Sequence, residues 1–415
     1  MQRGKFYIGI DWATEKHALC ITDAEGRVLK ERGIPNDSGL FEILAALIGG
    51  TASNEVFIAI ETRRLVLVDA VVARGFRVFT INPKQSERFR DRFSVAGIKD
   101  DRFDARVLAS ALRTDIELFR VVEPESAGQI RLRSATRLRQ TLQEQLREVA
   151  NRLRDVVMSS TPLLLGLCNG ADEPWFWALI LLATSPNAAK LINDDQLKDL
   201  LKEHRKRKIK PTDIRALLDG FHLFPAPGVS DGASWQAQML IAQLRLLDAQ
   251  QHAAESEVKA ALGDLPRTGD SLNDADIIMS APGFAHHTTG VFIAEAGAVI
   301  DRRALEELRA LCGVAPVTQS SGKHRKKSKW TQGENLSGVV VMRRAVNVRL
   351  RNAAHHAGTT AIRDPRFAPI YARLRATGAN HARAVRGVVD RLLTVVVAML
   401  RSRTLYKPAT SAAQT

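Results

Sequence analysis

"KFYIGIDWATEKHALCITDAEGRVLKERGI", residues 5–34, holds three short β-rich runs with polar turns between them. The first is "KFYIGID"; "HALCITD" follows one turn, and "GRVLKERGI" follows another, "AEG". Runs of this length, bounded by turn residues, read as a β-meander. Beyond it come a helix around Gly39–Leu47, the strand "EVFIAIE", the helix "RLVLVDAVVARG" and the strand "RVFTINP". Three strands followed by β-α-β-α predict a mixed sheet covered by helices. A further helix opens in "GIKDDRFDARVLASAL", residues 97–112.

Four acids punctuate this pattern. Asp11 ends the first strand and Glu61 ends "EVFIAIE". The ends of strands in a sheet of this kind face the crevice where ligands bind. Asp101 and Asp104 are three apart on a helix and share one face. Four carboxylates make an oxygen-only donor set, suited to Mg²⁺ or Mn²⁺ rather than zinc. Two such ions about 4 Å apart stabilise both the attacking and the leaving oxygens of a phosphodiester. Taken singly, each acid also has a plain role: Asp100 or Asp101 as a helix cap favoured by the dipole, Asp11 as a turn cap. Their order along the chain favours the metal reading, with Asp100 as the cap and Asp101 and Asp104 as ligands.

Composition adds a partner. The chain has 415 residues, a length that suits two or three units. It carries 60 Lys+Arg against 45 Asp+Glu, a net charge of +15, and a pI near 10.1. Such a field favours polyanions, nucleic acid first among them; the plain alternative is a merely soluble basic protein. Cys20, Cys168 and Cys312 lie far apart without metal-ligand spacing, which suits a reducing compartment. The start "MQRGKFYIGIDWA" runs straight into a strand, and the apolar runs "WFWALILLA" and "LLTVVVAML" fall short of the roughly 20 residues of a membrane span. A cytoplasmic protein with no membrane partner is expected.

The remainder reads as helical. Leu142, Leu146, Val149, Leu153 and Val156 step by coiled-coil spacing, and Leu240, Leu244, Leu247, Ala254 and Val258 resume the rhythm. Between them, residues 160–232 hold "EPWFWALILLA" and the basic run "EHRKRKIKP" with Arg205, Lys206, Arg207 and Lys208. A long helical hairpin carrying a small helical insertion is expected, with Trp175 and Trp177 as core. The domain boundaries follow: 1–123, 124–262, 263–406, and a small polar tail 407–415, expected to be disordered. In the third part, "APVTQSSGKHRKKSKW" sets Ser320 and Ser321 before a glycine and the cations Lys323, Arg325, Lys326, Lys327 and Lys329. A solvated turn followed by a phosphate-contacting patch is the plain reading; a serine nucleophile with its phosphate held by cations is the other.

The stretches "GIDWATEKH", "AIETRR", "INPKQSERFRD" and "KDDRFDARVLA" resemble the N-terminal domain of the DEDD transposases of bacterial insertion sequences. That resemblance implies a RuvC-like, ribonuclease H-type fold with Asp11, Glu61, Asp101 and Asp104 as its metal-binding catalytic acids, and Lys99 and Ala105 in register. Further on, "GVAP" before the S-G of Ser321 and "SAPGFAHHTTGVFIAEAG" are similar to the family's C-terminal transposase domain, with Ala285 where a second glycine is usual. "MRRAVNVRLRNAA" is similar to its Arg-rich helix, which implies nucleic-acid backbone contacts from Arg343, Arg344 and Arg349. The resemblance further implies that Ser321 forms a transient phosphoserine link to DNA, with Ser320 as the adjacent alternative. The serine and the acids would combine into one composite centre across protomers of a dimer or tetramer. Element ends and target DNA would be the substrates on the nucleoid, and some members are guided by a structured RNA.

Two other enzyme classes compete. A structure-selective junction endonuclease would use the carboxylates alone. An actin-like ATPase or sugar kinase shares a phosphate loop similar to "GIDWATEKHALCITDAEGRVL", but "VIDRRA" and "VVDRLL" lack the glycine that its second loop needs. A DNA-coating protein without chemistry gains nothing from four ordered acids.

Overall fold

The computed structural model describes residues 4–13, 15–35, 39–61, 66–81, 83–93, 100–123, 125–183, 185–220, 226–267, 272–319 and 339–408. The chain divides into two compact units, Met1–Glu125 and Ser126–Thr415.

In the first unit, strands β1 (Phe6–Asp11), β2 (Lys16–Asp23) and β3 (Val28–Pro35) form the expected meander. Then follow α1 (Gly39–Ile48), β4 (Val56–Ile60), α2 (Val66–Ala73), β5 (Arg77–Thr80), α3 (Pro83–Asp91), α4 (Asp101–Thr114) and a two-residue β6 (Arg120–Val121). The sheet runs β3-β2-β1-β4-β5-β6. β1 pairs antiparallel with β2 and parallel with β4, so the sheet is mixed.

Side chains of a strand alternate between faces, and each face here has its own cover. Ile8, Ile10, Ile58 and Ile60 share a core with Leu44 of α1 and Val68 and Val71 of α2. Tyr7, Phe57 and Ala59 share the opposite core with Phe89 of α3 and Val107, Leu108 and Leu112 of α4. Gly9 lies in this second row. A β-carbon there would meet the Ala105 carbonyl oxygen at 1.9 Å and the Ala109 nitrogen at 2.6 Å. The helix backbone thus rests directly on the strand. Ala105 and Ala109 are buried against Ala18 and Cys20, small side chains that allow the approach.

The second unit is built on two long helices, α5 (Ala127–Ser160) and α10 (Pro227–Gly263). They run antiparallel: Arg131 at one end pairs with Glu257 and, at 2.6 Å, with Asp264, and Arg139 donates to Glu255 at 2.9 Å. Of the residues in the spaced rows, Leu142, Val149, Leu153, Leu244, Ala254 and Val258 are buried. Between the two helices lie a 3-10 turn (Pro162–Gly166), α6 (Pro174–Leu182), α7 (Pro186–Leu191), α8 (Asp194–Glu203) and α9 (Pro211–Asp219). Leu153, Ile241 and Leu244 of the long helices share one core with Trp175, Phe176, Trp177 and Leu197 of this insertion. The indole nitrogens are satisfied, Trp177 by the Ala171 carbonyl at 2.8 Å and Trp175 by Glu173 at 2.9 Å. Both tryptophans are therefore core, as their apolar setting suggests.

At the other end of the long helices, Leu132, Ala135, Val258 and Ala261 join a second core. It is closed by α11 (Asp274–Ser280), α12 (His286–Asp301), α13 (Leu305–Leu311), α14 (Val348–Ala361), α15 (Ala368–Ala376) and α16 (His381–Ser402). The sequence pattern suggests helices throughout this part. The structure adds a two-stranded antiparallel ribbon, β7 (Pro316–Gln319) with β8 (Val339–Met342). Four-residue strands leave too little alternation to read. Tyr406 closes the packed chain: its hydroxyl donates to Asp364 at 2.8 Å and its ring stacks on Phe367. Most of the tail expected to be disordered, from residue 409, lies outside the described residues. None of the described helices is long and apolar enough to cross a membrane.

Candidate active site

The parallel pairing of β1 with β4 runs Phe6 against Val56 through to Ile10 against Ile60. One residue on, Asp11 and Glu61 therefore leave neighbouring strands side by side. By alternation both belong to the row of Tyr7, Gly9, Phe57 and Ala59, the face that α4 covers. The seat of Ala105 on Gly9 then sets Asp104, the preceding residue, beside those strand tips. Three segments distant in sequence converge because a glycine lets a helix sit directly on a strand.

Helix α4 begins where its chemistry requires. Asp100 is the cap, its carboxylate accepting from the Arg102 amide at 3.2 Å. Asp101 opens the helix and is exposed, while Asp104 is buried. Acids in a first turn are favoured by the helix dipole, so this arrangement stabilises the helix and the site together. Among the three aspartates of the stretch, the one used as a cap is distinct from the two on the site face.

The four acids act on one another. The Asp11 carboxyl is pushed up to about 6 by burial first, then by the negative charges of Asp104, Asp101 and Glu61, with Arg90 pulling the other way. Arg90, in the last turn of α3, forks onto Asp104, Nε to Oδ1 at 2.5 Å and Nη2 to Oδ2 at 2.8 Å. Sequence reading assigns no role to Arg90; the alternation of cations and acids in "SERFRD" gives no reason to single it out. His17 is a second residue that the sequence does not flag. It is buried, and its Nδ1 accepts from the Ala13 amide at 3.3 Å, which braces the turn that leaves Asp11. Trp12, next to Asp11, is 41% exposed, an unusual position for a tryptophan.

The remaining site candidates lie elsewhere. Ser320, Ser321, Lys323, Arg325, Lys326, Lys327 and Lys329 fall outside the described residues, as does Lys99. Arg343 and Arg344 are exposed between β8 and α14. Arg349, in the first turn of α14, has a buried Nε with no hydrogen-bond partner among the described residues. Asn347, the cap of α14, is tied to Glu295, which Arg137 also grips at 2.8 Å, so the start of that helix is fixed. In the insertion, Arg205, Arg207 and Lys208 are exposed, but Lys206 pairs with Glu173 and lies over the Trp175 ring. Of that run, Lys206 contributes to the fold of the insertion.

A mixed sheet with acids at adjacent strand tips and a helix-borne aspartate is the expected arrangement, and comparison with known proteins names its lineage. Residues 8–162 match the family model of the DEDD transposase domain of IS110 elements, described as "Transposase". Residues 275–372 match the model described as "Transposase IS116/IS110/IS902 family". The mini-circle protein for IS117 of Streptomyces coelicolor, which carries the name transposase, is 30% identical over 411 residues, 96% of this chain and 94% of that one. The chain belongs to the IS116/IS110/IS902 transposase family. The 43.6 kDa protein of insertion element IS110, also from Streptomyces coelicolor, is 24% identical over 413 residues, 97% of this chain and 95% of its own. The y4uE protein of Sinorhizobium fredii, again named transposase, is 39% identical over 206 residues, 49% of this chain and 57% of its own length. As a transposase the protein is an enzyme that cuts and joins DNA, in line with its basic charge.

The donor set of Asp11, Glu61, Asp101 and Asp104 fits a hard divalent cation. It is oxygen-only, and burial first, then the charge of its neighbours, holds the Asp11 carboxyl above its ordinary range. Among the described residues, no group of three or more His, Cys, Asp or Glu side chains is drawn close enough to grip an ion. Of these acids, Asp104 is held by Arg90.

Proposed function

We propose that the transposase recombines the DNA of an insertion sequence with a Mg²⁺- or Mn²⁺-dependent centre on Asp11, Glu61, Asp101 and Asp104, and with Ser321 as nucleophile. The observation that carries this reading is the placement of Asp11 and Glu61 at adjacent strand tips on the face that α4 covers with Asp104; Asp11, half-buried there, feels the charge of the other three acids. A bound divalent cation supplies charge stabilisation for the phosphodiester and its leaving oxygen. Asp11, Glu61, Asp101 and Asp104 would hold it, with Asp104 the buried one of the helix pair. The Ser321 Oγ–P bond forms as a P–O bond to the sugar breaks; the serine proton passes to a base and the leaving sugar oxygen takes one up. In the reverse sense, a freed hydroxyl of the exchanged strand attacks the phosphoserine and releases the serine. Lys323, Arg325, Lys326, Lys327 and Lys329 supply phosphate contacts around that serine. Arg343, Arg344, Arg349, Arg205, Arg207 and Lys208 extend them along a nucleic-acid backbone.

The functional parts are the catalytic residues 1–123, the hairpin 124–262 with a coiled-coil character, and the serine-bearing residues 263–406, working in a dimer or tetramer on the nucleoid. A structured RNA from the element's flanks guides the choice of DNA, a role that suits the two basic runs. RNA that co-purifies with the protein and maps to the flanks is the expected result; RNA of random origin would remove the guide from this reading. For the chemistry, Ser321→Ala is expected to abolish both strand exchange and the covalent protein–DNA adduct on a denaturing gel. The loss should exceed about 10³-fold, the scale seen when an enzyme's nucleophile is removed. Cleavage that survives the change, with no adduct in the parent protein, would favour a junction endonuclease that uses the carboxylates alone.

A further inference from the structure

We infer that Arg90 is an internal counter-ion of the carboxylate site, a positioning residue that holds Asp104 in the metal-free protein and yields it when a divalent cation binds. The inference rests on the metal reading proposed above and adds a residue and a switch to it. Three observations carry it. Arg90 engages both carboxylate oxygens of Asp104, at 2.5 and 2.8 Å, and its charge also reaches Asp11. The two partners differ in freedom: the Asp104 side chain is 9% exposed and anchored by α4, whereas the Arg90 side chain is 34% exposed in the last turn of α3. Finally, Asp104 precedes Ala105, whose backbone rests on Gly9 of β1, so the carboxylate is the fixed partner of the pair.

The physical logic is competition for one charge. Each carboxylate oxygen keeps a free lone pair beside the guanidinium. A divalent cation placed there faces a fixed positive charge a few ångströms away, a repulsion that grows as the site is desolvated. Arg90 therefore has to swing outward for the cation to settle, which its exposure permits. The neighbouring Arg92 is tied to Asp115 at 2.9 Å, and Arg106 is tied to Glu31 at 2.5 and 2.8 Å. Those pairs fix the flanks of α4 while the Arg90 pair is the one that faces the site. The guanidinium offsets the charge of Asp104 and, in part, of Asp11, at the expense of cation affinity. Affinity is reduced by the fraction of protein in which Asp104 is free.

Mn²⁺ titration of the full-length protein at pH 8, followed by electron paramagnetic resonance of the free ion, tests this directly. Arg90→Gln is expected to bind Mn²⁺ about tenfold more tightly than the parent, with Arg90→Lys in between because it keeps a charge without the two-pronged grip. In the absence of metal, Arg90→Gln is expected to melt below the parent, and saturating Mn²⁺ to close that gap. A merely structural role for Arg90 would weaken binding in both variants, so equal or weaker Mn²⁺ affinity overturns the inference. If Arg90→Gln fails to fold without metal, Arg90→Lys decides by the same criterion. Strong binding in the parent with no change in the variants would sink the Arg90 role alone. No Mn²⁺ binding by any of the three would overturn the metal reading, and the inference with it.

Discussion

Asp11→Asn is expected to make the metal-free transposase melt at a higher temperature and to lower strand cleavage by roughly 10³-fold, the rate equivalent of about 4 kcal/mol. The opposite signs come from one cause. Asp11 sits half-buried among three other acids, and ionising it there is unfavourable enough to move its carboxyl up to about 6. Asparagine has nearly the same shape and no charge, so it relieves the repulsion. It also removes one of the four proposed cation ligands, and with it charge stabilisation for the reacting phosphodiester. Stability held back for the sake of a site is a common feature of enzymes.

The pH dependence carries the same signature. The folded protein keeps the Asp11 proton up to about 6, while the unfolded chain releases it near the ordinary aspartate value of 3.8. Within that window the folded state binds more protons, so stability falls as pH rises through it, and the loss is complete above about 6. Melting curves from pH 4 to 8 should show this decline in the parent and not in Asp11→Asn, and saturating Mg²⁺ should reverse it. A variant that melts lower than the parent at pH 8 would contradict the coupling of the four acids.

Gly9→Ala is expected to destabilise the first unit by about 3 kcal/mol, and Gly9→Val to prevent its folding. The added β-carbon would stand 1.9 Å from the Ala105 carbonyl oxygen and 2.6 Å from the Ala109 nitrogen, both backbone atoms of α4. Backbone cannot step aside as a flexible side chain does, so α4 must lift from β1. Asp104 would move with it, and cation binding would weaken beyond what the stability loss explains. Denaturant unfolding with Mn²⁺ titration of whatever Gly9→Ala protein folds gives both numbers. Parent-like stability would mean that α4 does not rest on this strand.

Part of this architecture is legible in the sequence because it follows from short-range periodicity. Alternation in "KFYIGID" and "EVFIAIE" assigns Asp11 and Glu61 to strand tips, and the run of aspartates before an apolar helix separates cap from site. Leu142 through Val258 announce the two long helices by spacing alone. What stays hidden depends on tertiary contacts. That Asp104 is held by Arg90 follows from how α3 meets α4, and nothing in "INPKQSERFRD" distinguishes Arg90 from its neighbours. Lys206 looks equivalent to Arg205 and Arg207 in a basic run until the fold turns it toward Glu173 and Trp175. The ribbon of β7 and β8 is too short to announce itself, and Gly9 reveals its purpose only when a helix is laid across it.

The claim on which the rest depends is that one divalent-cation centre forms at the tips of β1 and β4 under α4. Fe²⁺ bound in place of Mg²⁺, with ascorbate and peroxide, cuts a polypeptide backbone next to wherever the ion resides. Cleavage of the full-length transposase is expected near Asp11, near Glu61 and between Asp100 and Ala105. It should persist in Ser321→Ala, fade in Asp11→Asn, and be suppressed by excess Mg²⁺. Cuts confined to other segments, or none that Mg²⁺ competes away, would show that these four acids do not hold the catalytic cation.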